Sequence, residues 1–190
     1  GVRGDFTKRA NRGAMRKSWS KPSQLISGNW ELINNDVLRS VRYILAVNDA
    51  RIVEIIKMSD FQEVSEADVI SFLKKDDEAG FQECSDKIMA HFLDGLVIYK
   101  RGKDESRPTP PIELPMTNNI ILKKLRVAFE LQEGDMYDVM ETAGIRVSKP
   151  ELSALFRKYG HKNYRPCGDQ FLRNFLKGLT ICIRGASKSS

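Results

Sequence analysis

A chain of 190 residues with a net charge of +6, 41% hydrophobic and 29% charged, is sized for one globular domain or two small ones. No apolar run approaches the roughly 20 residues a bilayer-spanning helix needs, and the basic first residues lack the apolar core of a secretory signal. Three cysteines are too few for a disulfide scaffold and suit free thiols in a reducing compartment, so the expectation is a cytoplasmic protein with no membrane partner.

Residues 1–33 hold seven basic and two acidic side chains among many Gly and Ser, with no period of 2 or 3.6. They read as a basic, disordered extension, either a flexible addition or an arm that grips phosphates. Leu25, Ile26 and Trp30 could dock its end on the body.

Beyond residue 33 helical signals follow one another. Asn34-Asn35 stands before Val37, Leu38, Val41, Ile44 and Leu45, an N-cap signal ahead of one apolar stripe. Asn48-Asp49 opens a second helix with Ile52, Val53, Ile55 and Ile56. Ser65 caps a third, whose face is Val69, Ile70, Phe72 and Leu73, with Glu66 and Asp68 where the helix dipole favours carboxylates. A fourth carries Ile88, Met89, Phe92, Leu93, Leu96 and Val97. Gly95 inside it costs about 1 kcal/mol against Ala, which points to close approach by another backbone. A polar and then Pro-rich joint spans 103–117, a semi-rigid spacer.

The pattern then restarts at Asn118-Asn119. Cys84-Ser85-Asp86 with Phe92, Leu93, Gly95 and Leu96 recurs as Cys167-Gly168-Asp169 with Phe175, Leu176, Gly178 and Leu179. The chain is therefore two copies of one unit: repeat 1 over 34–102, repeat 2 over 118–185, and a tail over 186–190. The fold class expected is all-α, two tandem homologous repeats of about four helices each. A unit of about 68 residues buries too little surface alone, so the repeats should pack together with pseudo-twofold symmetry through equivalent apolar faces.

Asn34 to Tyr43, Tyr99 to Pro108, and the stretch from Asn118 to Leu179 resemble the YehS-like family, small bacterial proteins made of a duplicated domain of unknown function. The resemblance spans roughly 34–185. It implies an all-helical bacterial protein and carries no activity, cofactor or site residue with it.

Charge separates the copies. Residues 34–102 hold 9 basic and 13 acidic side chains, whereas 118–185 hold 12 and 7. Between Arg157 and Pro166 stand five basic residues, His161 included, and two tyrosines, and the matching loop of repeat 1, Lys74 to Glu83, is acidic. Cations neutralise phosphates and tyrosines stack on unpaired bases. The candidate nucleic-acid-binding residues are thus Arg157, Lys158, Tyr159, Lys162, Tyr164, Arg165, Arg173 and Lys177, with RNA or DNA as partner. The alternative is electrostatic pairing, in which the acidic loop meets the basic one in a homo-oligomer or an acidic protein partner does so.

Other constellations point to structure. Cys84 and Cys167 read as small buried residues, Asp86 and Asp169 as N-caps, His91 as a satisfied or exposed imidazole, and Tyr43, Tyr99 and Tyr137 as core rims. Asp135 to Phe156 could form a helix–turn–helix, but Met140 is large for the crossing and the turn is long. No metal spacing, cofactor fingerprint or nucleophile–base pair stands out, so neither cofactor nor catalysis is expected.

Overall fold

Eight α-helices and a closing π-helical turn make up the computed structural model, which describes residues 31–185. Among the described residues there is no strand. The extension over 1–30, with its docking residues, and the tail over 186–190 lie outside the described residues. Repeat 1 comprises α1 (Asn34–Leu45), α2 (Asp49–Lys57), α3 (Glu66–Leu73) and α4 (Asp86–Arg101). Repeat 2 comprises α5 (Asn118–Ala128), α6 (Glu133–Thr142), α7 (Lys149–Leu155) and α8 (Asp169–Thr180), extended by the π-turn Ile181–Gly185.

Several helix starts follow from local chemistry. Asn48 accepts the Arg51 N–H at 2.9 Å. Ser65 accepts the Asp68 N–H at 3.1 Å while Asp68 accepts the Ser65 N–H at 2.9 Å. Ser148 accepts the Glu151 N–H, with Pro150 in the first turn where no N–H is required.

The asparagine pairs behave differently from the expectation. The residues at the cap positions of α1 and α5 are Ile33 and Thr117. Asn35 is 1% exposed, and its amide donates to the carbonyls of Phe72 (2.9 Å) and Gln82 (2.8 Å), while its oxygen accepts the Cys84 N–H (2.9 Å). Asn119 repeats this on Leu155 (3.0 Å), Arg165 (2.8 Å) and Cys167 (2.9 Å). Each Asn thus ties the long loop between its third and fourth helices to the first helix. A buried amide with several partners is worth more than a surface cap, because its partners would otherwise be desolvated and unpaired.

Asp86 and Asp169 are not N-caps either; Ser85 and Gly168 hold those positions. Asn34 donates to Asp86 (2.8 Å), and Asp86 accepts the N–H of Met116, just ahead of the other repeat (3.4 Å). Asn118 donates to Asp169 (2.6 Å), and Asp169 accepts the Leu32 N–H (3.0 Å). Two of these bonds hold each aspartate to the first helix of its own repeat, and the other two tie it to the extended lead-in of the other. Leu32 and Ile33, in the segment assigned to the extension, are buried at 4% each and belong to the core.

Packing is equally reciprocal. The fourth helix of each repeat lies across its own second helix and against the first helix of the other, α4 on α5 and α8 on α1. That exchange is the pseudo-twofold arrangement. Gly95 and Gly178 make the crossings possible: a Cβ on Gly95 would lie 1.8 Å from the Ile55 carbonyl oxygen, and one on Gly178 2.0 Å from that of Val139. The close approach expected at Gly95 is therefore present in both copies. Phe92 and Phe175, equivalent and fully buried, anchor a core that runs through both repeats.

The helix ends carry the exchange outward. Arg101 pairs with Glu130 at 3.4 Å, and Arg184 on the π-turn lies 4.9 Å from the ring centre of Tyr43. Tyr43 is half exposed rather than a core rim, held by that cation. Tyr99 and Tyr137 are half-buried, as rims are.

Candidate nucleic-acid interface

The loop from Arg157 to Pro166 leaves the end of α7 and returns to the core at Cys167, which is 2% exposed. Its path is set by backbone bonds: the Arg165 N–H donates to Ala154 (3.1 Å), Tyr164 to His161 (2.9 Å), and His161 to Lys158 (3.0 Å). Gly160 takes φ of +93°, a conformation that costs a side chain energy and glycine little. His161 uses Nδ1 to accept the Asn163 N–H at 3.0 Å, closing the turn.

This frame turns Arg157, Lys158, Lys162 and Arg165 outward; all four are exposed, as is Lys177 on α8. Among the described residues none of these five forms an ion pair. Arg173 is half-buried and donates to Gln170 at 2.8 Å. With Lys177 it lies on the solvent stripe of α8, about 6 Å along the axis from Lys177 by helix rise.

The tyrosines take different places. Tyr159 is 63% exposed, and Tyr164 is 8% exposed, with the rings edge to face at 5.4 Å and 80°. Burial pushes the Tyr164 phenol above its usual pKa, the neighbouring Cys167 and Tyr159 adding to the shift. Tyr164 is thus a supporting wall for Tyr159 and not an open stacking face, which corrects its expected role.

Arg157, Lys158, Tyr159 and Tyr164 border an open groove of about 740 Å³. Its other wall comes from the joint, Ile112 to Pro115, and from Ile120 and Lys123 of α5. Glu113 on this wall is bonded by Lys123 at 2.9 Å, with Lys124 at 3.7 Å. Burial raises its pKa, but those two lysines outweigh burial and hold the carboxyl below its usual range. Lys162, Arg165, Arg173 and Lys177 do not line the groove. The joint and Lys123 are contributors the sequence did not mark. The Lys123-Lys124 doublet was a signal; the approach of residues 112–115 to the loop was not, because it is a contact between distant segments.

A family profile described as protein of unknown function (DUF1456) matches residues 34–102 and again 118–185. The chain belongs to the DUF1456 family. It is also 47% identical over 148 residues to the uncharacterized protein YehS of Escherichia coli (strain K12), a match covering 78% of this chain and 94% of that protein. The resemblance to YehS-like proteins, with a duplicated all-helical domain, therefore stands. No solved structure matches.

Other groups in this DUF1456 protein take structural positions. Cys84 and Cys167 are buried behind the asparagine amides. The proposed helix–turn–helix does not form: six residues, 143–148, separate α6 from the seven-residue α7, and Met140 is fully buried. Ser59 Oγ lies 2.7 Å from His91 Nδ1, but Ser59 is 3% exposed and its hydroxyl also donates to Ile56 at 3.3 Å. A hydroxyl buried in this way and shared between two partners presents no nucleophile to a substrate. His91 also stacks on Phe61 at 4.5 Å, a satisfied imidazole. Among the described residues no helix is long and apolar enough to cross a membrane.

Proposed function

We propose that the second repeat binds nucleic acid, RNA or DNA, through the loop Arg157–Arg165 and the neighbouring cations of α8, as a binding protein without catalysis. The observation that carries this reading is the set of exposed cations, Arg157, Lys158, Lys162, Arg165 and Lys177, that pair with no carboxylate among the described residues. Unpaired lysines and arginines clustered on a rigid loop give up little when they meet phosphates, and the release of counterions drives association. Repeat 1 argues the same way by contrast: Lys74, at the place of Arg157, folds back to donate to the Ala79 carbonyl at 2.8 Å. The three free cysteines suit a reducing compartment, and we place the binding in the cytoplasm.

Fluorescence anisotropy with labelled oligonucleotides across a salt series tests this. Reversing Arg157, Lys158 and Lys162 to Glu should weaken binding and flatten the dependence of log K on log salt by about 2 to 3 units. A chain starting at residue 31 should still bind, since the loop and not the basic extension is the reader. Binding that needs residues 1–30 and ignores the loop reversal overturns the proposal. If the reversed protein instead loses mass in light scattering, and the original never binds nucleic acid, the basic loop pairs copies of the chain against the acidic loop of repeat 1.

A further inference from the structure

The groove beside the basic loop contains more than phosphate binding requires. Leu114 is 51% exposed and Tyr159 63%, large apolar faces that a surface for phosphates alone would gain nothing from showing to water. Tyr159 is steadied edge-on by Tyr164, so its ring is held at low entropic cost. The cations Arg157 and Lys158, immediately before Tyr159 in the chain, line the same groove. A ring, an apolar opposite wall and adjoining cations complement a nucleobase with its phosphate.

Duplex bases hide their faces in the stack, whereas unpaired bases expose them, so this complement favours single strands. The volume, about 740 Å³, lies within the range of small-molecule sites, about 300–1,000 Å³. Apart from the cations and the tyrosines, the polar side chains of the groove are already occupied. Asn119 spends its amide on Leu155 and Arg165 and its oxygen on Cys167. Thr117 accepts the Ile120 N–H at 3.2 Å, and Glu113 is bonded by Lys123. Reading a base edge takes donors and acceptors aimed at it, and these are committed elsewhere.

We infer that the groove takes unpaired bases of single-stranded nucleic acid, stacked on Tyr159, without preference for base identity. This rests on the nucleic-acid reading above. The loop cations set the affinity for phosphate, and the groove sets the preference for single strands.

The test uses the full chain and labelled oligonucleotides of about 12 nucleotides, the scale of single-strand sites: oligo(dT), oligo(dA), and a mixed sequence as single strand and as duplex. Every arm retains the basic extension, so its contribution is common to all. Single strands should bind more tightly than the duplex, and oligo(dT) and oligo(dA) should agree within about tenfold. Tyr159→Ala should weaken single-strand binding about 5- to 150-fold, the range for losing one stacked base, and leave duplex binding unchanged. Tyr159→Trp should restore it. Equal binding of duplex and single strand, a larger base preference, or indifference to Tyr159→Ala overturns the inference. If binding still falls on reversing Arg157, Lys158 and Lys162, the nucleic-acid reading survives that outcome; if the original chain binds no oligonucleotide, both fail.

Discussion

The two repeats agree where they are buried and differ where they meet water. Asn35 and Asn119 hold the same three backbone groups at distances that agree within 0.1 Å, and both fourth helices rest a glycine on a carbonyl of the second. The loops those asparagines secure have diverged. Asp76 stands where Tyr159 does, Ala79 where Lys162 does, and Gln82 where Arg165 does. The Asn bonds Gln82 and Arg165 by the same backbone carbonyl, so the side chain there is at liberty to change. A loop fastened by its backbone can trade an acidic surface for a basic one without disturbing the core. A buried amide cannot be altered without leaving its partners unpaired.

The seams between the repeats differ too. Asp94 on α4 pairs with Lys124 on α5 at 2.8 Å, with both side chains largely buried. The position equivalent to Asp94 on α8 is Lys177, and that equivalent to Lys124 on α1 is Ser40. One seam is closed by an ion pair, and the other leaves its lysine exposed to solvent.

The largest test of the equivalence lies at the helix crossings. Gly95→Ala and Gly178→Ala should each destabilise by about 3 kcal/mol or more, because the new methyl meets a backbone carbonyl that cannot turn aside. Urea unfolding measures this, and a mild effect at Gly178 alone would show that α8, with its π-turn, yields where α4 does not. Next, Asn35→Ala and Asn119→Ala should each cost about 2–4 kcal/mol, the penalty for stranding buried carbonyls and an N–H. Costs that differ by more than about 1 kcal/mol would break the claim that the two loops hang on the same bonds. Asp94→Ala should cost about 1 kcal/mol, since the pair is mostly shielded from water. Lys177→Ala should stay within about 0.5 kcal/mol, and a larger loss would mean α8 has a partner at the second seam. Smallest is Glu113→Gln, about 0.5 kcal/mol or less given its exposure. Because the folded carboxyl has a lowered pKa, its contribution is present above its ordinary value and is lost as pH falls through the folded one. The gap between the two proteins should therefore close on acidification; a gap that widens would mean the joint is not held by Lys123.

Much of this fold was written locally. Ser65, Ser148 and Asn48 cap helices because a side-chain oxygen beside an orphan N–H finds it whatever the rest of the chain does. Gly95 advertised a close approach because a helix tolerates glycine poorly without cause. The asparagine pairs misled, since an amide at a helix start can cap or turn inward, and the choice lay with carbonyls 36 to 47 residues away. The site was half legible. Charge and tyrosines marked the loop, but Tyr164 went inside, and residues 112–115 arrived from the joint.

Composition and period alone settled that the chain is helical, duplicated and electrically divided, because each of those is a property of neighbours along the chain. Which repeat's first helix receives which fourth helix, where the buried amides point, and that a groove opens beside Tyr159 were decided by packing. Those outcomes depend on apolar surfaces and unpaired backbone groups meeting across dozens of residues, and no short window of sequence contains both members of such a pair.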